Sequence, residues 1–173
     1  LKRVGDDLRE KMKSVGIDWD TSKYLPLPTW FPCRAFLEPS GDYDLYVINY
    51  KTAVCTQSHS ANNPWLMEVF ERDPYILRAW LNASTAKKRG IVDGDLVWLE
   101  SKWGKVQLRA KVSECIHPEA VAISGAFGHW AEHPIGKGRG VSFNTIMHPQ
   151  GPGWCDPIGG GPDNCIRVKL YKA

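Results

Sequence analysis

The chain has 173 residues and a mass of 19.5 kDa, room for one ordinary domain with a core, alone or with an appendage, and too little for a large multidomain enzyme. With 43% hydrophobic and 24% charged residues and a formal charge of +3, it has a globular composition. The charge is too small to point to a nucleic-acid or membrane surface, and no stretch approaches the roughly 20 apolar residues of a membrane-spanning helix.

With Leu1 in first place and no signal-peptide pattern, the chain is expected to be a piece of a larger polypeptide. Val4, Leu8 and Met12 recur at helical spacing among charges, which predicts a short amphipathic helix ending at Gly16 and packing on a neighbouring domain. From Asp18 to Ser40 the prolines 26, 28, 32 and 39, with Trp30 and Phe31, read as an extended, wrapped connection. These features set an N-terminal segment, 1–40, apart from a domain at 41–173.

Tyr43 to Val54 is rich in β-branched and aromatic residues and reads as a strand. It feeds a polar loop, Thr56 to Pro64, closed by Trp65. Ile76, Leu77, Trp80 and Leu81 restore strand character. Asn82 to Gly90 reads as a short helix, with Asn82 or Ser84 as its cap and Gly90 as its left-handed stop. Leu96–Glu100 and the strict alternation of Val106, Leu108, Ala110 and Val112 form a hairpin around Gly104. Strands at 120–123 and 166–170 complete the set. About six strands, short helices and no βαβ rhythm give a mainly β fold, a closed or half-closed barrel with function at its rim.

Ten of the 16 Gly and five of the 12 Pro lie between Ser124 and Cys165. Phe127, Trp130, Phe143, Ile146, Met147 and Trp154 lie there too, so the stretch is read as a long ordered loop, of the kind that carries function, and not as a linker. The cysteines 33, 55, 115, 155 and 165 contain no CxxC pair. Unpaired thiols fit them best, with a 155–165 disulfide as the alternative, and Cys55 with His59 is a lone C-x3-H without a second half. Trp65, Trp80 and Trp98 read as core or strand-packing residues. Histidines 117, 129, 133 and 148 read as turn or surface residues, and Lys87–Lys88–Arg89 as a solvated helix end. No catalytic array and no metal ligand is assigned.

The ordered set Gln57-Ser58-His59-Ser60, Asn62-Asn63-Pro64-Trp65-Leu66, Asn82 with Ala86, Gly90-Ile91, Gly94-Asp95-Leu96-Val97, Ser101 with Gly104, Asn144 and Asp156-Pro157-Ile158 resembles the C-terminal dinucleotide-binding domain of the molybdopterin oxidoreductases, the dimethyl-sulfoxide reductase superfamily. It runs from about Tyr43 to Leu170. The resemblance implies a six-stranded double-psi-type β-barrel with short helices and a long Gly/Pro-rich loop. That barrel binds molybdopterin guanine dinucleotide, two per enzyme, around molybdenum or tungsten. The metal ligand, the redox relay and any iron–sulfur cluster would belong to upstream domains of the same catalytic subunit, with an electron-transfer subunit as a further partner. By the same analogy Lys51, Thr52, Gln57, Ser58, His59 and Ser60 line pterin and phosphate. Asn82, with Ser84 nearby, reads the guanine edge, although Ser84-Thr85 stands where many relatives have an acidic residue. Asn144, Asn164 and Arg167 make late polar contacts. Such a ligand needs amides, hydroxyls, close backbone approach and a few cations, and the sequence holds all of these.

The resemblance therefore implies part of an oxidoreductase that is inactive in isolation, with neither nucleic-acid binding nor direct membrane insertion. Compartment stays open between cytoplasmic and exported, and the substrate is unnamed, although Tyr50-Lys51-Thr52 and Asn62-Asn63-Pro64-Trp65 are closest to sulfur-, arsenic- and related respiratory branches. The alternative is a stand-alone β-barrel module or small subunit, binding single-stranded nucleic acid through its aromatics.

Overall fold

Two stretches far apart in sequence, Leu1–Glu38 and Pro149–Asp163, form the first of two compact units in the computed structural model, which describes residues 1–55, 58–130, 135–149, 153–156 and 158–173. Helix α1, Lys2–Ser14, ends as expected, with Gly16 in the left-handed region at φ 77°. Its inward contact is different from the expected stripe. Gly5 is the buried residue, so close to Tyr24 that a Cβ there would lie 2.5 Å from the tyrosine Cβ, while Val4 is exposed and Leu8 and Met12 are half-buried. Arg9 ties the helix to the following segment by donating to Thr21 Oγ1. That segment contains a short helix, α2 (Arg34–Leu37), whose Arg34 stacks 4.5 Å from the Trp154 ring and pairs with Glu38. In the other stretch, Asp156 closes a turn by accepting the N–H groups of Ile158 and Gly159.

The second unit, Pro39–His148 with Asn164–Ala173, is the barrel. Its strands are β1 (Leu45–Tyr50), β2 (Arg78–Leu81), β3 (Leu96–Glu100), β4 (Lys105–Val112), β5 (Ala120–Ser124) and β6 (Ile166–Lys172), closed in the order β1-β5-β2-β4-β3-β6. Two pairs are parallel, β1 with β5 and β2 with β4, and the other four are antiparallel. This interleaving of strands from the two halves of the chain is the double-psi arrangement. Alternation does the sorting: Val106, Leu108 and Ala110 face the interior while Lys105, Gln107 and Arg109 face solvent. β5 lies between β1 and β2 and is buried along its whole length, as its unbroken apolar run requires.

Two helices decorate the barrel. α3, Pro64–Arg72, departs from the sequence expectation, which has a loop ending at Trp65. Asn63 caps it by accepting the N–H groups of Trp65 and Leu66, and Pro64 occupies its first turn. Met67 and Phe70 turn inward, which leaves Trp65 79% exposed instead of in the core. α4, Ala83–Lys88, starts at Asn82 as expected and stops with Gly90 at φ 65°. Arg89 departs from the solvated-end reading: it pairs with Asp44 and donates to the Leu170 carbonyl at 3.2 Å. His148 likewise is buried, edge-on to Trp103 at 5.9 Å. None of the five cysteines forms a disulfide, and burial pushes the Cys55 thiol up.

Apolar residues form two clusters. One fills the barrel. The other, with Cys55, Ala61, Met67, Phe70, Ile76 and Phe127, lies under the loops at one end of it. Phe70 and Phe127 meet edge to face at 5.3 Å and couple α3 to the loop after β5.

Candidate cofactor site

The parallel strands β1 and β5 end side by side, Tyr50 opposite Ser124. The loop that follows β5 is crowded. A Cβ on Gly125 would lie 2.4 Å from Asn49 Oδ1, and one on Gly128 would lie 2.2 Å from the Ser142 nitrogen. Gly128 sits at φ 72°, and Ala126, although not glycine, at φ 73°. The Gly128 N–H donates to the Arg139 carbonyl and the Gly138 N–H to the His129 carbonyl, both at 2.9 Å, which sets 128–129 against 138–139. A 3-10 turn, Ser58–Asn62, abuts Gly136, whose missing Cβ leaves room for Asn62 Oδ1.

Between these loops lies a cavity of about 240 Å³ lined by Asn49, Ser58, His129, Ser142 and Asn144 over Phe127 and Phe143. Trp130 stands at its mouth, 86% exposed. Asn144 is carried by a second 3-10 turn, Phe143–Thr145. Buried Phe143 anchors that turn, and Ser101 Oγ donates to the Ile146 carbonyl at 2.7 Å. Gly104 completes the seat, since a Cβ there would meet the Thr145 carbonyl oxygen at 2.2 Å. The Ser101 and Gly104 of the hairpin thus hold Asn144 in place. Across His129 and Trp130 a shallower cavity of about 340 Å³ includes Val106, Gln107, Lys137 and Val141.

The structure brings Ser58 and Asn144 together. His59 and Ser60 follow Ser58 in the same turn, His59 exposed and Ser60 half-buried. Lys51 is exposed after β1, and the Thr52 hydroxyl is buried beside the Cys55 thiol. Gln57, His133 and Pro157 lie outside the described residues. Asn82 and Ser84 are at the opposite end of the barrel, because β2 runs antiparallel to β5 and Leu81 pairs with Val121 near the start of β5. Asn82 is 5% exposed and fully engaged: Oδ1 accepts from Ser84 N and Oγ, and Nδ2 donates to the Ile116 carbonyl and to Glu114. Asn164 is exposed beside the first turn of β6, and Arg167 lies on the barrel wall, 4.3 Å above the Tyr46 ring and donating to its hydroxyl. The Gly/Pro-rich stretch divides: its first half lines the cavities, while 149–163 belongs to the other unit.

Asn49, His129 and Ser142 are absent from the sequence-read set. Asn49 had a signal. It continues the alternation of the inward-facing Leu45 and Val47 to the point where the strand leaves the core, a polar and exposed residue where the pattern calls for an apolar one.

The family model of the Molydopterin dinucleotide binding domain matches residues 45–164, a span that holds the cavity and strands β1 to β5 and ends just before β6. A sulfite dehydrogenase subunit of Allochromatium vinosum is 28% identical over 164 residues, 86% of this chain and 16% of that protein. The thiosulfate reductase molybdopterin-containing subunit PhsA of Salmonella typhimurium is 33% identical over 131 residues, 75% of this chain and 16% of that protein. The arsenate respiratory reductase molybdopterin-containing subunit ArrA of Shewanella sp. is 31% identical over 115 residues, 64% and 13% of the two chains. Among solved structures, acetylene hydratase from Pelobacter acetylenicus superposes with a TM-score of 0.66 at 19% identity, over 94% of this chain and 22% of that one, which establishes likeness of fold. The chain thus spans about a sixth of the curated relatives it matches. With the barrel, the motif order and the family match in agreement, the chain belongs to the molybdopterin dinucleotide-binding domain family.

Proposed function

We propose that this chain is the C-terminal cofactor-binding part of a molybdenum or tungsten oxidoreductase and covers one side of a molybdopterin guanine dinucleotide, of which the complete enzyme holds two. The observation that carries the reading is the rim cavity, where hydroxyls and carboxamides converge over apolar rings and the backbone comes close enough to exclude a Cβ at Gly125 and Gly128. These groups fit a flat, hydrogen-bonding heterocycle. When bound, the cofactor supplies the metal at which two electrons are exchanged. The residues here hold and orient it: Ser58, His59, Ser60 and Asn144 from two 3-10 turns, with Lys51 and Thr52 after β1 and Gln57 as the neighbour of Ser58 in sequence. Asn82 and Ser84 contribute a fixed turn at the other end of the barrel, Arg167 lies in β6 and Asn164 just before it.

Size supports a shared site. Pockets that enclose a drug-sized ligand span roughly 300–1,000 Å³, so a cavity of about 240 Å³ takes only one ring system of a dinucleotide. Upstream domains of the same polypeptide supply the remaining walls, the metal ligand and any redox relay, and the isolated chain does not turn over. Relatives named for thiosulfate and arsenate support a substrate among small sulfur or arsenic oxyanions or their reduced forms. The test is to purify the full-length gene product and measure pterin and metal per polypeptide. Stoichiometric pterin with molybdenum or tungsten is expected, and a folded full-length protein devoid of both refutes the proposal.

A further inference from the structure

The 240 Å³ cavity carries no lysine, arginine, aspartate or glutamate among its described lining residues, whereas the cavity across Trp130 includes Lys137. An anionic pyrophosphate gains little from a site without cations, and a neutral ring with both donors and acceptors gains most from amides and hydroxyls. Asn49 is a member of that wall whose amide the protein leaves open. No described hydrogen bond engages its carboxamide, and its Oδ1 occupies the space that a Cβ on Gly125 would fill. Glycine at 125 thus lets the Asn49 amide stand against the backbone, facing the same cavity as Asn144 on its 3-10 turn.

Resting on the proposed function, the geometry points to Asn49 as a cofactor-binding residue that, with Asn144, hydrogen-bonds the aminopyrimidinone edge of the bound dinucleotide, while the pyrophosphate lies outside this cavity. That edge presents a carbonyl beside a ring N–H and an exocyclic amine. A carboxamide matches it group for group, accepting through Oδ1 and donating through Nδ2. Pterin and guanine both carry the edge, so the source is decided by experiment.

The full-length enzyme is purified as wild type, Asn49→Ala and Gly125→Ala, and the loss of pterin is followed by fluorescence after oxidation during dialysis against mild denaturant. Asn49→Ala deletes the amide, and Gly125→Ala displaces it with a methyl group while leaving it in the chain. Both are expected to release pterin about tenfold faster, the worth of one to two hydrogen bonds, with folded protein retained in Asn49→Ala as judged by circular dichroism. Loading the apo-enzyme with nucleotide-free molybdopterin separates the sources: an Asn49→Ala effect that persists assigns the pterin edge, and one that vanishes assigns guanine. Release at the wild-type rate by Asn49→Ala, from an enzyme whose wild type carries pterin, overturns this inference and leaves the proposed function standing. A wild type without pterin overturns both.

Discussion

The two ends of the barrel use the same side chain in opposite ways. At one end Asn82 is buried, caps α4 and ties it to the 114–116 turn, with every donor and acceptor satisfied inside the protein. At the other, Asn49 and Asn144 face a cavity. An asparagine closed on its own fold contributes stability, whereas one whose amide faces a cavity is left open to a ligand. Residue type in a motif does not separate the two roles; strand direction and hydrogen-bond saturation do.

The largest effect should come from the apolar support of the open end. Phe70 is fully buried and packs edge to face on Phe127. Phe70→Ala is expected to cost about 3–5 kcal/mol and to lower cofactor content as well, because the same ring seats the loop after β5. Thermal unfolding together with pterin content checks this, and a stability loss with unchanged pterin content would show that the loop is seated without α3. Next is Asn82→Ala, which removes a cap and leaves buried partners unsatisfied, a cost of about 2 kcal/mol. Stability should fall with little loss of pterin from the protein that remains folded. Asn144→Ala should show the reverse, a melting temperature near wild type and depleted pterin. A matched drop in both quantities for both variants would erase the distinction between the ends.

Acid acts on the closed end and the hairpin beside it. Asp93 accepts the Val112 N–H at 2.7 Å, and this bond, aided by Lys111, holds its carboxyl below the usual aspartate range. A carboxyl whose folded pKa is lowered contributes stability above its unfolded pKa and loses it as pH falls through the folded one. Denaturant midpoints measured from pH 6 downward should therefore decline more steeply below about pH 4 in wild type than in Asp93→Asn, whose midpoint is lower at pH 6 and flatter with acid.

Much of the barrel is legible in the chain, since alternation at 105–112 and the unbroken apolar run of β5 are local statements about which face is buried. α3 is less so. Pro64 and Asn63 mark its start, but Trp65 looks like a core residue until the helix turns Met67 and Phe70 inward. For the site, the ordered motif names both Ser58 and Asn144, and they reach one cavity because the parallel strands β1 and β5 end side by side. It does not reveal that Asn82 lies at the far end, which depends on β2 running against β5. Nor does it reveal His129 and Ser142, whose meeting depends on the pairing of 128–129 with 138–139, which has no periodic signal.

The smallest expected effect tests whether the open end is held under strain. Ala126 lies at φ 73°, in a conformation that costs an L-residue about 1–2 kcal/mol. Glycine removes that cost but adds freedom to the unfolded chain worth about 0.4–1 kcal/mol, so Ala126→Gly should leave stability unchanged or raise it by up to about 1.6 kcal/mol. At the closed end the balance has the other sign. Ala86 sits inside α4, and Ala86→Gly should destabilise by about 1 kcal/mol. If Ala126→Gly destabilises as much as Ala86→Gly, the left-handed alanine is not strained and the crowding at Gly125 and Gly128 alone shapes the rim. If it stabilises while accelerating pterin loss, the alanine has been kept for rigidity, and strain at this end is part of how the open amides are kept in position.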